Sequence, residues 1–378
     1  MFSIALLVHA QQLTGSFAVA GLVSGAYAVS GAVAAPLLGR LVDRYGQTTI
    51  LISGATLTAL VLVVTGLLPS DTPPLLLVAL AGATGLATPP LAASVRTLLP
   101  AIVADPGRLP ALFALESTAL EATFVFGPPL ALWLGVLLST GAALAISGLV
   151  MLVATLIFAA QPASRRWRPQ PDAARPRGGA LRSPAMRILV VILFGTGAVF
   201  GATDVGVMAA AKAVGSAASA GPLLGLWGVG SLLGGIAATR LGGGAQRAKG
   251  LKTLLGALAL AHGALILTAS SVFAIAAVIL LAGATIAPTV ASIYGMVDRA
   301  APAATRTEAF SWLLTASSTG AATGAAVAGA LAQSAGAPTA FAFAGTAGGF
   351  AVLIATLGSG RLDNDIAEPV SALLAHAG

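Results

Sequence analysis

The chain alternates between long apolar runs and short polar breaks. Apolar runs fall at about 16–38, 48–68, 74–97, 112–138, 140–160, 186–211, 217–239, 251–270, 272–297, 307–333 and 338–357, with a shorter one at 1–10. A helix needs about 20 apolar residues to cross a ~30 Å hydrocarbon core, and each of the eleven longer runs meets that length. The breaks include His9-Ala10-Gln11-Gln12, Pro69-Ser70-Asp71-Thr72-Pro73, Asp105-Pro106-Gly107-Arg108 and Gln333-Ser334-Ala335-Gly336. The pattern predicts an all-α polytopic membrane protein.

Composition agrees with this reading. Hydrophobic residues make up 57% of the 378, and only 8% are charged, against about 25% in a soluble domain. The expected solvent is therefore the lipid bilayer, and the abundant Gly and Ala suit closely packed membrane helices. With no Cys, disulfides and thiolate metal sites are excluded; no cofactor and no metal site are expected. Met1-Phe2-Ser3-Ile4 carries no basic stretch of the kind that opens a cleavable signal peptide.

The basic residues set orientation. If the polar stretch Gly39–Gly46 is cytoplasmic and the runs alternate, eighteen of the nineteen Lys and Arg face the cytoplasm and only Lys212 lies outside, as the positive-inside rule requires. These charges are scattered over several loops and a tail, which argues against a nucleic-acid partner. Residues 161–185 form an Arg/Pro-rich connector that includes Arg165, Arg166, Arg168, Arg175, Arg177 and Arg182. It is expected to be cytoplasmic, as is the tail at 358–378. Arg outnumbers Lys sixteen to three, which points to a GC-rich bacterial genome and so to the bacterial cytoplasmic (plasma) membrane.

The chain also repeats itself. Ala20-Gly21-x-x-x-Gly25-x-Tyr27-x-Val29 matches Ala220-Gly221-x-x-x-Gly225-x-Trp227-x-Val229, and Arg40-Leu41 matches Arg240-Leu241, at an offset of 200. Ala81-Gly82-Ala83-Thr84 recurs as Ala282-Gly283-Ala284-Thr285, Pro89 pairs with Pro288, and Gly127 with Gly324. Two pseudo-symmetric six-helix halves follow, at 1–160 and 186–357, an arrangement found in transporters. The run at 186–211 calls for a partner of which residues 1–10 supply only ~15 Å of helix. The first helix is thus expected to be truncated, with the chain given as starting at an internal Met.

Gly39-Arg40-Leu41-Val42-Asp43-Arg44-Tyr45-Gly46 reads as a charged turn between the second and third spans. Its pattern Gly-x-Leu-x-Asp-Arg-x-Gly resembles the signature loop of the major facilitator superfamily. The resemblance covers essentially the whole chain, as a bacterial twelve-helix efflux-type member. It implies a monomeric secondary transporter with the two halves around a central cavity. Gly39 and Gly46 would allow tight turns, and Asp43 and Arg44 would make interhelical charge contacts that bias the conformational switch. The sequence departs from the family at Gln47 and Thr48, where basic residues are usual, and at Gly243 and Gly244, which replace Asp43 and Arg44 in the second copy. The family's intramembrane Arg of the fourth span is missing too, since Arg96 lies near the cytoplasmic end.

Gly127-Pro128-Pro129 in the fifth span resembles the family's antiporter motif; a plain proline kink is the structural reading. Glu121 shares a face with Pro128, and Asp204 lies well inside the seventh span. A carboxylate at such depth is costly unless paired or protonated, so both are candidates for proton coupling. Glu121 can equally be a neutral group bonded to another helix, and Lys212 can ease the charge of Asp204. Glu116 is nearer the cytoplasmic end, and Glu308 suits a helix N-terminus. His262 reads as a packed, polar-bonded histidine. Tyr27 and Trp227 are possible cavity-wall residues, with plain packing as the alternative. Gly21-x-x-x-Gly25, Gly221-x-x-x-Gly225 and Gly320-x-x-x-Gly324 read as helix-contact stripes.

The expected function is secondary active transport of a small organic molecule by alternating access, as proton-coupled efflux of a drug or metabolite. An importer or facilitator with structural acids is the alternative. A membrane enzyme would need an intramembrane catalytic set, and no His-Glu-x-x-His or Gly-x-Ser-x-Gly is present. A sensor would need a signalling domain that the twenty residues after Gly358 do not supply.

Overall fold

The computed structural model describes residues 2–103, 105–168 and 179–363. Arg175 and Arg177 and most of the tail therefore lie outside the described residues. The helices are α1 (Phe2–Thr14), α2 (Phe17–Tyr45), α3 (Gln47–Gly66), α4 (Pro74–Ala87), α5 (Leu91–Ile102), α6 (Leu109–Leu137), α7 (Thr140–Ala160) and the short α8 (Pro162–Arg166). They continue as α9 (Pro184–Ala213), α10 (Ala220–Arg240), α11 (Ala248–Gly263), α12 (Val272–Ala284), α13 (Ile286–Ala300), α14 (Arg306–Ala335) and α15 (Ala337–Leu357).

Every expected apolar run coincides with a helix. Among the described residues nine helices, counting α4–α5 and α12–α13 as one each, are long and apolar enough to cross a membrane. The breaks in those two composite helices fall at Thr88-Pro89-Pro90 and at Thr285, three residues before Pro288, where a proline ring denies the helix a hydrogen bond. Beyond those nine, α6 and α14 hold 29 and 30 residues, a length of about 45 Å at 1.5 Å per residue.

The described chain forms two compact units. One holds the described residues within 1–102, 123–175 and 303–315; the other holds those within 103–122, 176–302 and 316–378. Each repeats the other's packing. Helix α2 lies on α4 as α10 lies on α12, α3 on α7 as α11 on α15, and α1 on α7 as α9 on α15. The match extends to single atoms: a Cβ on Gly85 would strike the carbonyl of Tyr27, and one on Gly283 would strike that of Trp227. Membrane helices associate by close packing rather than by expelling water, and glycine is what lets these backbones touch.

In the first unit Leu6, Val23, Leu62, Leu77 and Leu144 form a buried cluster. Beside it His9 joins three helices: its Nε2 donates to the carbonyl of Thr65 at 3.0 Å, and its Nδ1 is 2.8 Å from the Thr140 hydroxyl. In the second unit, α9 and α14 press backbone to backbone. A Cβ on Gly197, Gly201, Gly320 or Gly324 would collide with the facing chain. The stripe Gly320-x-x-x-Gly324 is therefore a helix contact. The other two stripes are not, because a Cβ on Gly21, Gly25, Gly221 or Gly225 would meet nothing within 4 Å.

Candidate functional site

The stretch Gly39–Gly46 is not a turn from end to end. Helix α2 continues through Tyr45, and only Gly46, at φ 97°, breaks the chain direction before α3. Gly39 sits inside the helix, and what it provides is closeness. A Cβ there would lie 2.7 Å from Ser311 Oγ and 2.8 Å from Glu308 Cα. Its missing side chain lets α2 meet the first turn of α14.

That contact is polar and ordered. Asp43, only 4% exposed, accepts the backbone N–H of Thr307 at 3.2 Å on Oδ1 and that of Glu308 at 2.9 Å on Oδ2. The first N–H groups of a helix have no partner within it and carry the positive end of its dipole. A carboxylate from α2 thus caps α14. Glu308 accepts from Arg40 Nε at 2.8 Å and from the Trp312 indole at 3.3 Å. Thr97 of α5 reaches Thr307, hydroxyl to hydroxyl, at 3.2 Å.

The guanidinium meeting α14 therefore belongs to Arg40, three residues before Asp43 and so on its face. Arg44 points elsewhere: it is exposed and stacks 5.2 Å above the Tyr45 ring. Sequence reasoning missed Arg40, Thr97 and Trp312; the available signals were the i,i+3 spacing of Arg40 and Asp43 and the i,i+4 spacing of Glu308 and Trp312. Where a basic residue is usual, Gln47 is buried, donating to the Ser94 carbonyl at 3.3 Å and accepting from Ser164 at 3.4 Å.

The second copy of this contact has different chemistry. Gly243, at φ 101°, lies directly against Pro110, whose carbonyl a Cβ would strike. Pro110 occupies the place in α6 that Thr307 occupies in α14, and it has no N–H to be capped. A carboxylate at 243 would lose the donor that Thr307 gives Asp43; a bare backbone fits.

The intramembrane acids fall on the expected helices. Glu121 lies in α6, with its side chain outside the described set; Glu116 in the same helix is partly buried. Asp204 lies in α9, with ~13 Å of helix between it and Ala213. It is partly exposed, and among the described residues its carboxylate has no hydrogen bond or ion pair. Lys212 is exposed and does not pair with it. Gly127 is buried in α6, which runs unbroken through Pro128.

Tyr27 and Trp227 hold matching places. Tyr27 meets Phe2 edge to face at 6.4 Å, and Trp227 meets Phe200 at 5.7 Å. The Trp227 indole N–H donates to His262 Nε2 at 3.1 Å, and His262 Nδ1 donates to the Leu258 carbonyl at 2.8 Å. These two bonds fix one neutral tautomer of a fully buried His262. Among the described residues no group of His, Asp and Glu could hold a metal ion.

A twice-repeated bundle of helices long and apolar enough to cross a membrane defines a polytopic membrane protein. A model described as Major Facilitator Superfamily matches residues 1–267, and the chain belongs to that superfamily. No curated protein matches the sequence. Among solved structures, the chain resembles the human organic anion transporter MFSD10 (TETRAN), with TM-score 0.69 and 18% identity, over 94% of this chain and 89% of that one. It also resembles a bacterial homologue of the iron transporter ferroportin in its outward-facing state, with TM-score 0.71 and 16% identity, over 95% and 98%. The proton:xylose symporter XylE matches with TM-score 0.67 and 15% identity, over 93% and 91%. At these identities the likeness is one of fold. Family and fold make the chain a transporter, not an enzyme.

Proposed function

We propose that the protein is a secondary active exporter that moves a small organic molecule out of a bacterial cell by alternating access, driven by protons entering. The observation that carries this reading is Asp204, an acid on a membrane-crossing helix with no partner among the described residues. A bare carboxylate there is expensive, and binding a proton removes the charge. Glu121 is the second coupling candidate. The Gly127-Pro128 element favours export. Asp43, Arg40 and Glu308 act as a latch between α2 and α14 that is made in one state of the cycle and broken in another.

The solved neighbours carry unlike cargoes, an organic anion, iron and a sugar, so the substrate is not taken from them. By its name XylE is coupled to protons, which supports coupling within this fold. The test uses energised inside-out vesicles containing the protein, to which drugs, sugars and metabolites are added while the proton gradient is followed. A compound that dissipates the gradient with wild type, and not with Asp204→Asn or Glu121→Gln, supports the proposal. Export is refuted if the active compounds move only inward in right-side-out vesicles.

A further inference from the structure

The two copies of the α2–α14 contact differ by more than Asp43. Sequence offsets of 200 for α2 and α10, and of 197 for α14 and α6, align Gly39 with Thr239, Arg40 with Arg240, Glu308 with Ala111 and Trp312 with Leu115. The second offset is supported by two short 3₁₀ turns, Pro106–Arg108 and Ala303–Thr305, that precede α6 and α14, and by the fully buried pair Phe113 and Phe310.

In the first copy the place is filled: glycine against glutamate, with tryptophan beside it. In the second it is open. Helix α10 touches α6 where Gly235 backs onto Thr118, and the following loop touches it where Gly243 meets Pro110. Between these two points Thr239 stands where the first copy has Gly39. A groove of about 570 Å³ remains, lined by Val103, Asp105, Arg108, Ala111, Leu112, Leu115 and Thr239. Its walls are largely apolar, with Asp105, Arg108 and Thr239 among them. The Thr239 hydroxyl is occupied with the Gly235 carbonyl at 2.8 Å.

Two basic groups point to the occupant: Arg108, which lines the groove, and Arg240, the residue after the lining Thr239. Arg240 is exposed at the end of α10 and has no hydrogen bond or ion pair among the described residues, because Ala111 stands where Arg40 finds Glu308. Arg108 has a loose contact, 3.5 Å, with Asp105 and is 81% exposed. Asp105 also accepts the Gly107 N–H at 2.9 Å, so the acid is largely committed while both guanidinium groups keep free donors. The groove lies at the ends of helices that the basic loops assign to the cytoplasmic side, where basic pockets between membrane helices collect anionic headgroups.

We infer that this groove binds one anionic phospholipid of the cytoplasmic leaflet. Its phosphate pairs with Arg240 and Arg108 in the place that the Glu308 carboxylate takes in the first copy. An acyl chain lies along Leu112 and Leu115. The site is separate from the transport reading and does not depend on it.

The test is native mass spectrometry of the purified full chain incubated with phosphatidylglycerol or phosphatidylcholine. Wild type is expected to retain one phosphatidylglycerol. Ala111→Glu rebuilds the acid of the first copy and Leu115→Trp rebuilds its bulk; each is expected to lower retention about fivefold, as is Arg240→Gln. Arg165→Gln, on the connector, is expected to leave it unchanged. Elution as a single folded species controls for misfolding, and Leu115→Trp carries the test if the buried acid of Ala111→Glu prevents folding. Equal retention of phosphatidylcholine, unchanged retention in Leu115→Trp and Arg240→Gln, or displacement by inorganic phosphate alone would each overturn the assignment.

Discussion

Asp43 Oδ2 accepts the backbone N–H of Glu308 at 2.9 Å, so a side chain of one helix closes the amino end of another. The bond joins elements more than 260 residues apart in sequence. Water can take the place of the carboxylate on these two N–H groups when the helices part. The second copy replaces it with Gly243 on Pro110, which no protonation can change.

Asp43→Asn keeps one acceptor and loses the charge. Charge-assisted hydrogen bonds are worth about 1.5–3 kcal/mol, so the latch is expected to weaken by about tenfold. Transport rate in vesicles at equal protein level reads this. Arg40→Gln is expected to do less, because solvent screens the 49% exposed Arg40 and the 2% exposed Glu308 keeps the Trp312 indole as a donor. An Arg40→Gln defect larger than that of Asp43→Asn would show that the ion pair, not the cap, holds α14.

Gly39→Ala places a methyl group where Ser311 and Glu308 already sit. Overpacking of this kind costs about 1–3 kcal/mol. Gly25→Ala, in open space on the same helix, is expected to stay within about 0.5 kcal/mol of wild type. Thermal unfolding of the two variants in detergent separates them, and equal midpoints would remove the close-approach role of Gly39.

His262→Ala leaves the Trp227 indole N–H without its acceptor. An unpaired buried donor costs about 1–3 kcal/mol, and a cavity adds to this. His262→Gln restores an acceptor and is expected to recover part of the loss in a thermal-unfolding series. If Gln and Ala are equally destabilised, packing rather than the hydrogen bond is what His262 supplies.

The spans were legible in the sequence because hydrocarbon admits few polar groups, and the repeat because a fixed offset survives in Tyr27 and Trp227, Arg40 and Arg240. The end of α2 was not. Arg40, Asp43 and Arg44 read as loop residues, since nothing in the sequence shows that the far-off amino end of α14 satisfies them. The same limit explains the glycine stripes. Gly320 and Gly324 meet a backbone while Gly21 and Gly25 meet none, and spacing alone is identical in the two cases. Glu308 lies in the first turn of α14, as its pattern suggested, and Trp312 reaches it from four residues on, but its partner Arg40 comes from tertiary packing.

Proton coupling through Asp204 is most directly tested in proteoliposomes, by comparing gradient-driven accumulation with exchange across equal proton concentrations. Asp204→Asn is expected to abolish accumulation of an identified substrate while leaving exchange near the wild-type rate, since exchange needs the conformational cycle but no net proton movement. Accumulation retained by Asp204→Asn would contradict the account and leave Asp204 a structural residue.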